Sequence, residues 1–206
     1  MSRALRESPA AYMGIKYNAT GMKDPMNLLW MDLEMTGLDP ERDTIMEIAT
    51  IVTDPQLKTI AEGPVLAIHH SKEELESMDD WCIRHHGESG LSKRCFESRV
   101  SVEEAEEQTL KFVREHCPEK QVPLCGNSIH QDRRFIVRYM PRLNDFLHYR
   151  MVDVSSVKEL VERWYPGEYQ KFKKMGNHEA LGDVRESIAE LAEYRRTFFK
   201  KPDDAA

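Results

Sequence analysis

The chain has 206 residues, with 29 Lys and Arg against 36 Asp and Glu and a formal net charge of -7. That length suits one well-packed domain and is a squeeze for two. The acidic balance argues against a protein that coats long duplex nucleic acid through a general basic field, while leaving room for a small local phosphate site. No apolar run reaches the roughly 18 residues of a membrane-spanning helix, so no membrane partner is expected. Cys82, Cys95, Cys117 and Cys125 lack the density and CxxC pairing of a disulfide scaffold or zinc ribbon, which points to a reducing compartment. The cytoplasm is the default expectation, with an organellar matrix left open.

Residues 1–26 carry four Lys or Arg against two acids without the apolar stretch of a secretory signal, and read as a loose arm. Residues 28–34, LLWMDLE, form an apolar run broken only by Asp32 and Glu34. That is the reading of a buried central strand whose end emerges at a site. Gly37 and Pro40 punctuate the loop after it. Residues 45–53, IMEIATIVT, predict a second strand, and Asp54-Pro55 turns into a third at about 57–69, giving a three-stranded meander.

Ser71 with Glu74 and Ser101 with Glu104 are capping-box pairs. The second opens a helix over about 102–116, with Ala105, Leu110, Phe112 and Val113 as apolar contacts. Between them, 78–97 reads as short helical pieces. Val122–Cys125 predicts a short strand, Gly126-Asn127-Ser128 a turn, 129–139 a helix stopped near Pro141, and Tyr149–Val154 another strand. Ser156 and Glu159 predict the cap of a helix at 157–164, with Trp164 and Tyr165 packing at its end or at a subunit contact. The last helix, 180–198, sets Val184, Ile188, Leu191 and Phe198 along one stripe, and 201–206 is a tail. No Gly-rich loop follows the first strand, so Rossmann and P-loop readings fail. The order predicts one α/β domain over 27–200 with a mixed five-stranded sheet flanked by helices.

Asp32 and Glu34 are two apart on a strand and leave the same face. Two such carboxylates are costly unless protonated, solvated or neutralised by cations. Asp132, in the first turns of a helix after the Gly-Asn turn, can project back over the sheet. Asp183 lies near the start of the final helix. His178 precedes Asp183 by five residues, about 140° around a regular helix, so the imidazole is placed on a loop behind Gly176-Asn177. Four carboxylates can hold two divalent cations about 4 Å apart, one activating water and one stabilising the leaving oxygen of a phosphodiester. Oxygen donors favour Mg²⁺ or Mn²⁺ over Zn²⁺. His178 is the natural proton acceptor near neutral pH.

Three separated segments carry a resemblance: Trp30 to Asp39 (WMDLEMTGLD), Gly126 to Asp132 (GNSIHQD) and His178 to Asp183 (HEALGD). Together with His148-Tyr149-Arg150, Val152 to Ser155 and Arg185 to Leu191, they resemble the oligoribonuclease family of DEDDh 3′-to-5′ exonucleases, and the similarity runs through 27–199. The resemblance implies a ribonuclease-H-like fold and hydrolysis of very short single-stranded RNA, down to dinucleotides, to nucleoside 5′-monophosphates. It places the two cations on Asp32, Glu34, Asp132 and Asp183 and the general base on His178. It also implies a homodimer in which Tyr149 and Arg150 complete the partner's site, and terminal-phosphate contacts from His86, Ser128 and Gln131. One departure stands out: Gly182 occupies a position where the family usually has Asp.

Leu33, between the two acids, should face away from them and reads as core. The resemblance instead makes it an apolar wedge against a base, which requires the strand to distort. Trp81 is open between core and base stacking on the residues alone, and the resemblance favours stacking. Cys82 and His86, four apart, sit in a Cys/His-containing stretch too irregular in spacing to need zinc. Two rivals remain at this stage: an exonuclease of the same chemistry acting on longer RNA or DNA, and a non-catalytic nucleic-acid-binding module. A binding module has no need of so costly an acidic cluster.

Overall fold

The computed structural model describes residues 23–167 and 180–199. Most of the expected arm (1–22), the expected tail and His178 with Gly176-Asn177 lie outside the described residues. The strands are β1 (Leu28–Met35), β2 (Ile45–Thr53), β3 (Thr59–Glu62), β4 (Leu66–Ala67), β5 (Leu124–Gly126) and β6 (Met151–Asp153). The helices are α1 (Lys72–Glu76), α2 (Asp80–Glu88), α3 (Leu91–Glu97), α4 (Val102–His116), α5 (His130–Tyr139), α6 (Pro141–Phe146), α7 (Val154–Trp164) and α8 (Ala180–Thr197).

The sheet runs β3-β2-β1-β5-β6, with β4 as a short sixth strand on β2. The β1–β2 and β2–β3 pairs are antiparallel, whereas β1–β5 and β5–β6 are parallel, so the sheet is mixed as expected. Side-chain alternation splits β1 between two helical layers. Leu29, Met31 and Leu33 join the core built with α4, α5 and α6, including Val113, Phe135 and Leu143. Trp30 faces the other way and packs with Val161 of α7 and Val184 and Ile188 of α8. Its indole N–H donates to Thr53 Oγ1 at 3.0 Å, satisfying the one polar atom of a fully buried ring.

Several boundaries differ from the sequence expectation for local reasons. The third strand is not continuous over 57–69; it breaks between β3 and β4 at Gly63-Pro64. A Cβ on Gly63 would lie 2.1 Å from Thr50 Oγ1 and 2.8 Å from the Phe112 ring, so the backbone there is pressed against both. The proline after it has no N–H to give a ladder. Pro141 does not merely stop α5 but supplies the first turn of α6, where a missing N–H costs nothing. Helix α7 starts three residues earlier than Ser156 and Glu159 suggested, because the Asp153 carboxylate accepts from the Ser155 N–H and caps it. Both capping boxes, at Ser71 and at Ser101, are formed.

Buried Glu106 of α4 fastens α6 to that layer. Its Oε1 accepts the N–H groups of Arg142 (2.6 Å) and Leu143 (3.0 Å), while Oε2 accepts from Arg142 Nε (2.7 Å). Glu106→Ala strands two backbone donors and the Arg142 Nε–H, and urea unfolding should show a loss of about 2–3 kcal/mol. Glu106→Gln, which keeps one carbonyl acceptor, should lose less.

Candidate active site

Asp32 and Glu34 share the parity of Trp30, so both leave β1 on the face covered by α8. Asp183, in the first turn of α8, meets them there. One ligand oxygen from each of Asp32, Glu34 and Asp183 lies within 4.8 Å of the others. Among the described residues this is the one cluster of three or more His, Cys, Asp or Glu side chains able to hold a metal ion. All its donors are carboxylate oxygens, which fits a hard divalent cation such as Mg²⁺ or Mn²⁺.

Asp132 arrives by a different route. β1 pairs with β5 only through Leu29 and Trp30, and β5 ends at Gly126. A Cβ on Gly126 would come within 2.8 Å of the Met31 carbonyl oxygen, so glycine permits this close approach. The chain then turns into α5, and buried Asp132 accepts the Leu33 N–H at 2.9 Å through Oδ1. Ligands of open α/β sheets collect at such a divergence of neighbouring strands. A bulge at Glu34/Met35 ends the regular β1–β2 register.

The electrostatics are strained. Burial, followed by the charges of Asp183, Glu47 and Asp132, pushes Glu34 up to about 8 from an ordinary 4.5. Burial likewise raises Asp132 to about 7 against the opposing pull of the Leu33 N–H. A bound cation removes this repulsion, so binding it must release protons and strengthen with pH.

Beside the acids opens a cleft of about 540 Å³ lined by Leu33, Glu34, Leu38, Trp81, Cys82 and His86, among others. Trp81 is 57% exposed and stacks on His85, ring centroids 4.5 Å apart at 15°. It is therefore not core. Leu33 is 5% exposed, belongs to the α4–α6 core, and holds its regular pairing opposite Ile48. It also lines the cleft, and the strand departs from regular register immediately after it, at Glu34/Met35. The apolar side chain standing out at this cleft is Leu38, 69% exposed, which the sequence reading left in a loop without a role. Arg134 holds that loop through the Leu38 carbonyl (3.3 Å).

His86 is buried, and burial lowers its pKa. Its Nε2 lies 3.0 Å from the Met35 carbonyl, an acceptor, so Nε2 is the donor. The neutral ring then has only an acceptor at Nδ1 and offers a phosphate a donor only when protonated. Cys82 is held beside Asp79 and pushed up to about 11, mainly by burial. No zinc-type arrangement joins Cys82 to His86 among the described residues.

Of the expected terminal-phosphate residues, His86 lines this cleft, whereas Ser128 and Gln131 do not. Ser128 has φ 49 at the entry to α5, and its N–H donates to Asp153 Oδ1 and Ser155 Oγ, both at 3.0 Å. Gln131 Oε1 accepts from Arg134 at 2.7 Å. Tyr149 is 75% exposed, with the Arg150 guanidinium 5.4 Å from its ring centroid.

Besides Glu106, two buried acids escaped the sequence reading. Glu47 on β2 sits directly opposite Glu34 and pairs with Arg94 at 2.9 Å. Its signal was available: a carboxylate in the middle of an otherwise apolar strand. Glu190 of α8 accepts from Asn127 Nδ2 at 2.9 Å and from the Tyr194 hydroxyl at 2.6 Å. Nothing in the pattern of α8 marks it apart from other helix-surface glutamates.

An acid cluster at the diverging ends of β1 and β5 defines a nuclease-type centre on an α/β sheet, and the comparisons with known proteins agree. The RNase T exonuclease family model matches residues 29–191. Exonuclease I from Methylocaldum szegediense superposes with a TM-score of 0.62 at 18% identity, over 84% of this chain and 41% of that one. Exonuclease I from E. coli, in a complex with single-stranded DNA, gives 0.65 at 15% over the same shares. This chain thus spans about two-fifths of those structures, which share its fold. Much nearer in sequence are the oligoribonucleases of Pseudomonas aeruginosa, 58% identical over 87% of this chain and 99% of theirs, and of Shewanella loihica, 60% identical over 86% and 98%. The chain belongs to the oligoribonuclease family of exonucleases.

The shifted carboxylates set a pH signature. Between 4.5 and about 8 the folded metal-free protein holds a proton on Glu34 that the unfolded chain has released. Stability therefore falls as pH rises through that window and is unaffected by Glu34 below it. Thermal melts in EDTA should show Tm falling from about pH 5 to about pH 8. Glu34→Gln should flatten the fall, and saturating Mn²⁺ should raise Tm most at the alkaline end.

Proposed function

We propose that the chain is a 3′-to-5′ exoribonuclease that degrades short oligoribonucleotides, down to dinucleotides, to nucleoside 5′-monophosphates. The observation that carries this reading is the convergence of Asp32, Glu34 and Asp183 within 4.8 Å beside an open cleft bearing an exposed tryptophan. With Asp132 these acids would hold two Mg²⁺ or Mn²⁺ ions. When bound, such ions lower the pKa of the attacking water and neutralise charge building on the phosphodiester.

The protein's own groups do the rest. Trp81 stacks on a base and Leu38 packs against it, a contact worth about 1–3 kcal/mol per stacked base. Leu33 floors the cleft. Ser128 and Gln131 take the terminal phosphate together with Tyr149 and Arg150 from a second copy. His86 adds a donor there once the phosphate's charge favours its protonated form. His178 accepts the proton of the attacking water as the P–O3′ bond breaks, and the 3′-terminal residue leaves as the nucleoside 5′-monophosphate. A cleft of about 540 Å³ has the size of a small-molecule site rather than of a track for a long strand.

Incubation with 5′-labelled RNAs of two, five and twenty nucleotides tests the reading. The dinucleotide should disappear fastest with Mn²⁺ or Mg²⁺, not at all in EDTA, and Asp132→Asn should slow it by about 100-fold or more. Preference for the longest RNA would support the broader exonuclease, and binding without turnover the non-catalytic module.

The shared site has its own check. Asp132→Asn protomers mixed with Arg150→Ala protomers form hybrids with one intact site, so random exchange should restore about a quarter of wild-type activity from two inactive parents. Arg150 acting within its own protomer predicts no recovery.

A further inference from the structure

Glu47 is the least expected charge in the molecule. It is 1% exposed in β2, whose every residue is buried, and it stands opposite Glu34 across the antiparallel ladder. Like charges directly opposed on neighbouring strands are destabilising, and here the neighbour already faces Asp32 and Asp183. An apolar residue would fill the position at far lower cost. What Glu47 does instead is make two directed contacts. Oε1 accepts from Arg94 Nη2 at 2.9 Å, and Oε2 accepts the N–H of Ala180 at 3.4 Å. Ala180 is the first described residue of α8. A carboxylate is the favoured group at that end of the helix dipole. Asp183 follows three residues later, in the same turn.

Arg94 completes the arrangement from α3. Its Nη1 donates to the Ser89 carbonyl at 3.2 Å, so the guanidinium is oriented before it meets Glu47. It is also the one cation among the charges that dominate the environment of Glu34.

We propose that Glu47 and Arg94 form a positioning pair that sets the cation-binding geometry. Glu47 anchors the first turn of α8, and with it Asp183, against the strand that carries Asp32 and Glu34. Arg94 holds Glu47 in the rotamer that reaches Ala180 and offsets its charge. Neither residue touches substrate. The pair acts through the spacing between Asp183 and the β1 acids, and it rests on the reading of that cluster as a cation site.

Charge alone and positioning predict opposite signs at Arg94. Removing a positive charge near a cation site by through-space electrostatics should tighten Mn²⁺, whereas releasing Glu47 from its rotamer should weaken it. Mn²⁺ affinity is measured by titration calorimetry on full-length wild type, Arg94→Met, Arg94→Lys and Glu47→Gln, well below each protein's Tm. Positioning predicts that Arg94→Met and Glu47→Gln each weaken Mn²⁺ about tenfold or more. With a dinucleotide substrate, kcat should fall while KM stays near wild type, and Arg94→Lys should recover part of both effects. Tighter or unchanged Mn²⁺ in Arg94→Met, or a Tm loss in the variants without a change in affinity, overturns the proposal. Wild-type protein that fails to bind Mn²⁺ overturns the cation site itself, a different result from variants that bind as wild type does.

Discussion

Mutual repulsion among carboxylates at the end of β1 is the constraint that organises this structure. Asp32, Glu34 and Asp183 converge within 4.8 Å, buried Asp132 adds its charge, and Glu47 stands across the strand. Such a cluster is stable only if solvated, protonated, paired or charged with cations. The fold supplies partial answers: a backbone N–H from Leu33 for Asp132 and an arginine for Glu47. For Glu34 the surroundings leave a raised pKa rather than a full counter-charge. The outstanding repulsion is what a divalent cation removes, so the unfavourable part of the fold becomes binding free energy.

Holding like charges in register demands scaffolding from distant parts of the chain. Two acids come from adjacent same-face positions on β1, and that spacing is local. Asp132 is 99 residues beyond the Leu33 N–H it accepts. Helix α8, which brings Asp183, is tied at its start by Glu47 on β2 and again where Glu190 receives Asn127 from the β5–α5 turn. The second tie links the helix of one acid to the turn that launches the other. Apolar packing of Val184 and Ile188 against Trp30 sets the distance between α8 and the sheet. Polar ties set the position along the helix axis, which packing alone leaves soft.

This division also explains what could be read from sequence. β2 and α4 fall where periodicity and capping put them, and β1 and α8 differ from expectation by one residue at their C-terminal ends. The pairing of Asp32 with Glu34 followed from strand alternation alone. The broken third strand depended on Gly63 meeting Thr50 and Phe112, residues that the sequence does not bring together. Helix α7 began early because the strand's last acid, Asp153, doubled as its cap. Leu33 and Leu38 illustrate the limit most clearly. Alternation places Leu33 in the core and the resemblance places it at the substrate; in the structure it packs in the core and lines the cleft as well, while Leu38 is exposed on a loop. The position of Leu38 at the cleft is set by Arg134 and Tyr139 holding its loop from α5, a tertiary effect without a local signature.

Length selection follows from the same charge distribution. A chain with a net charge of -7 repels a polyanion at long range, so a long RNA gains little from the protein's general field. On the proposed reading, attraction would come from cations held at the acid cluster and from Arg150 of a second copy. Each further phosphate adds to the repulsion from the net charge. Base stacking on Trp81, if it occurs as proposed, would be indifferent to length, since it engages one base however many follow. On that reading a ligand of two residues collects nearly all of the favourable contacts and the least of the unfavourable field, so charge works in the same direction as the size of the cleft.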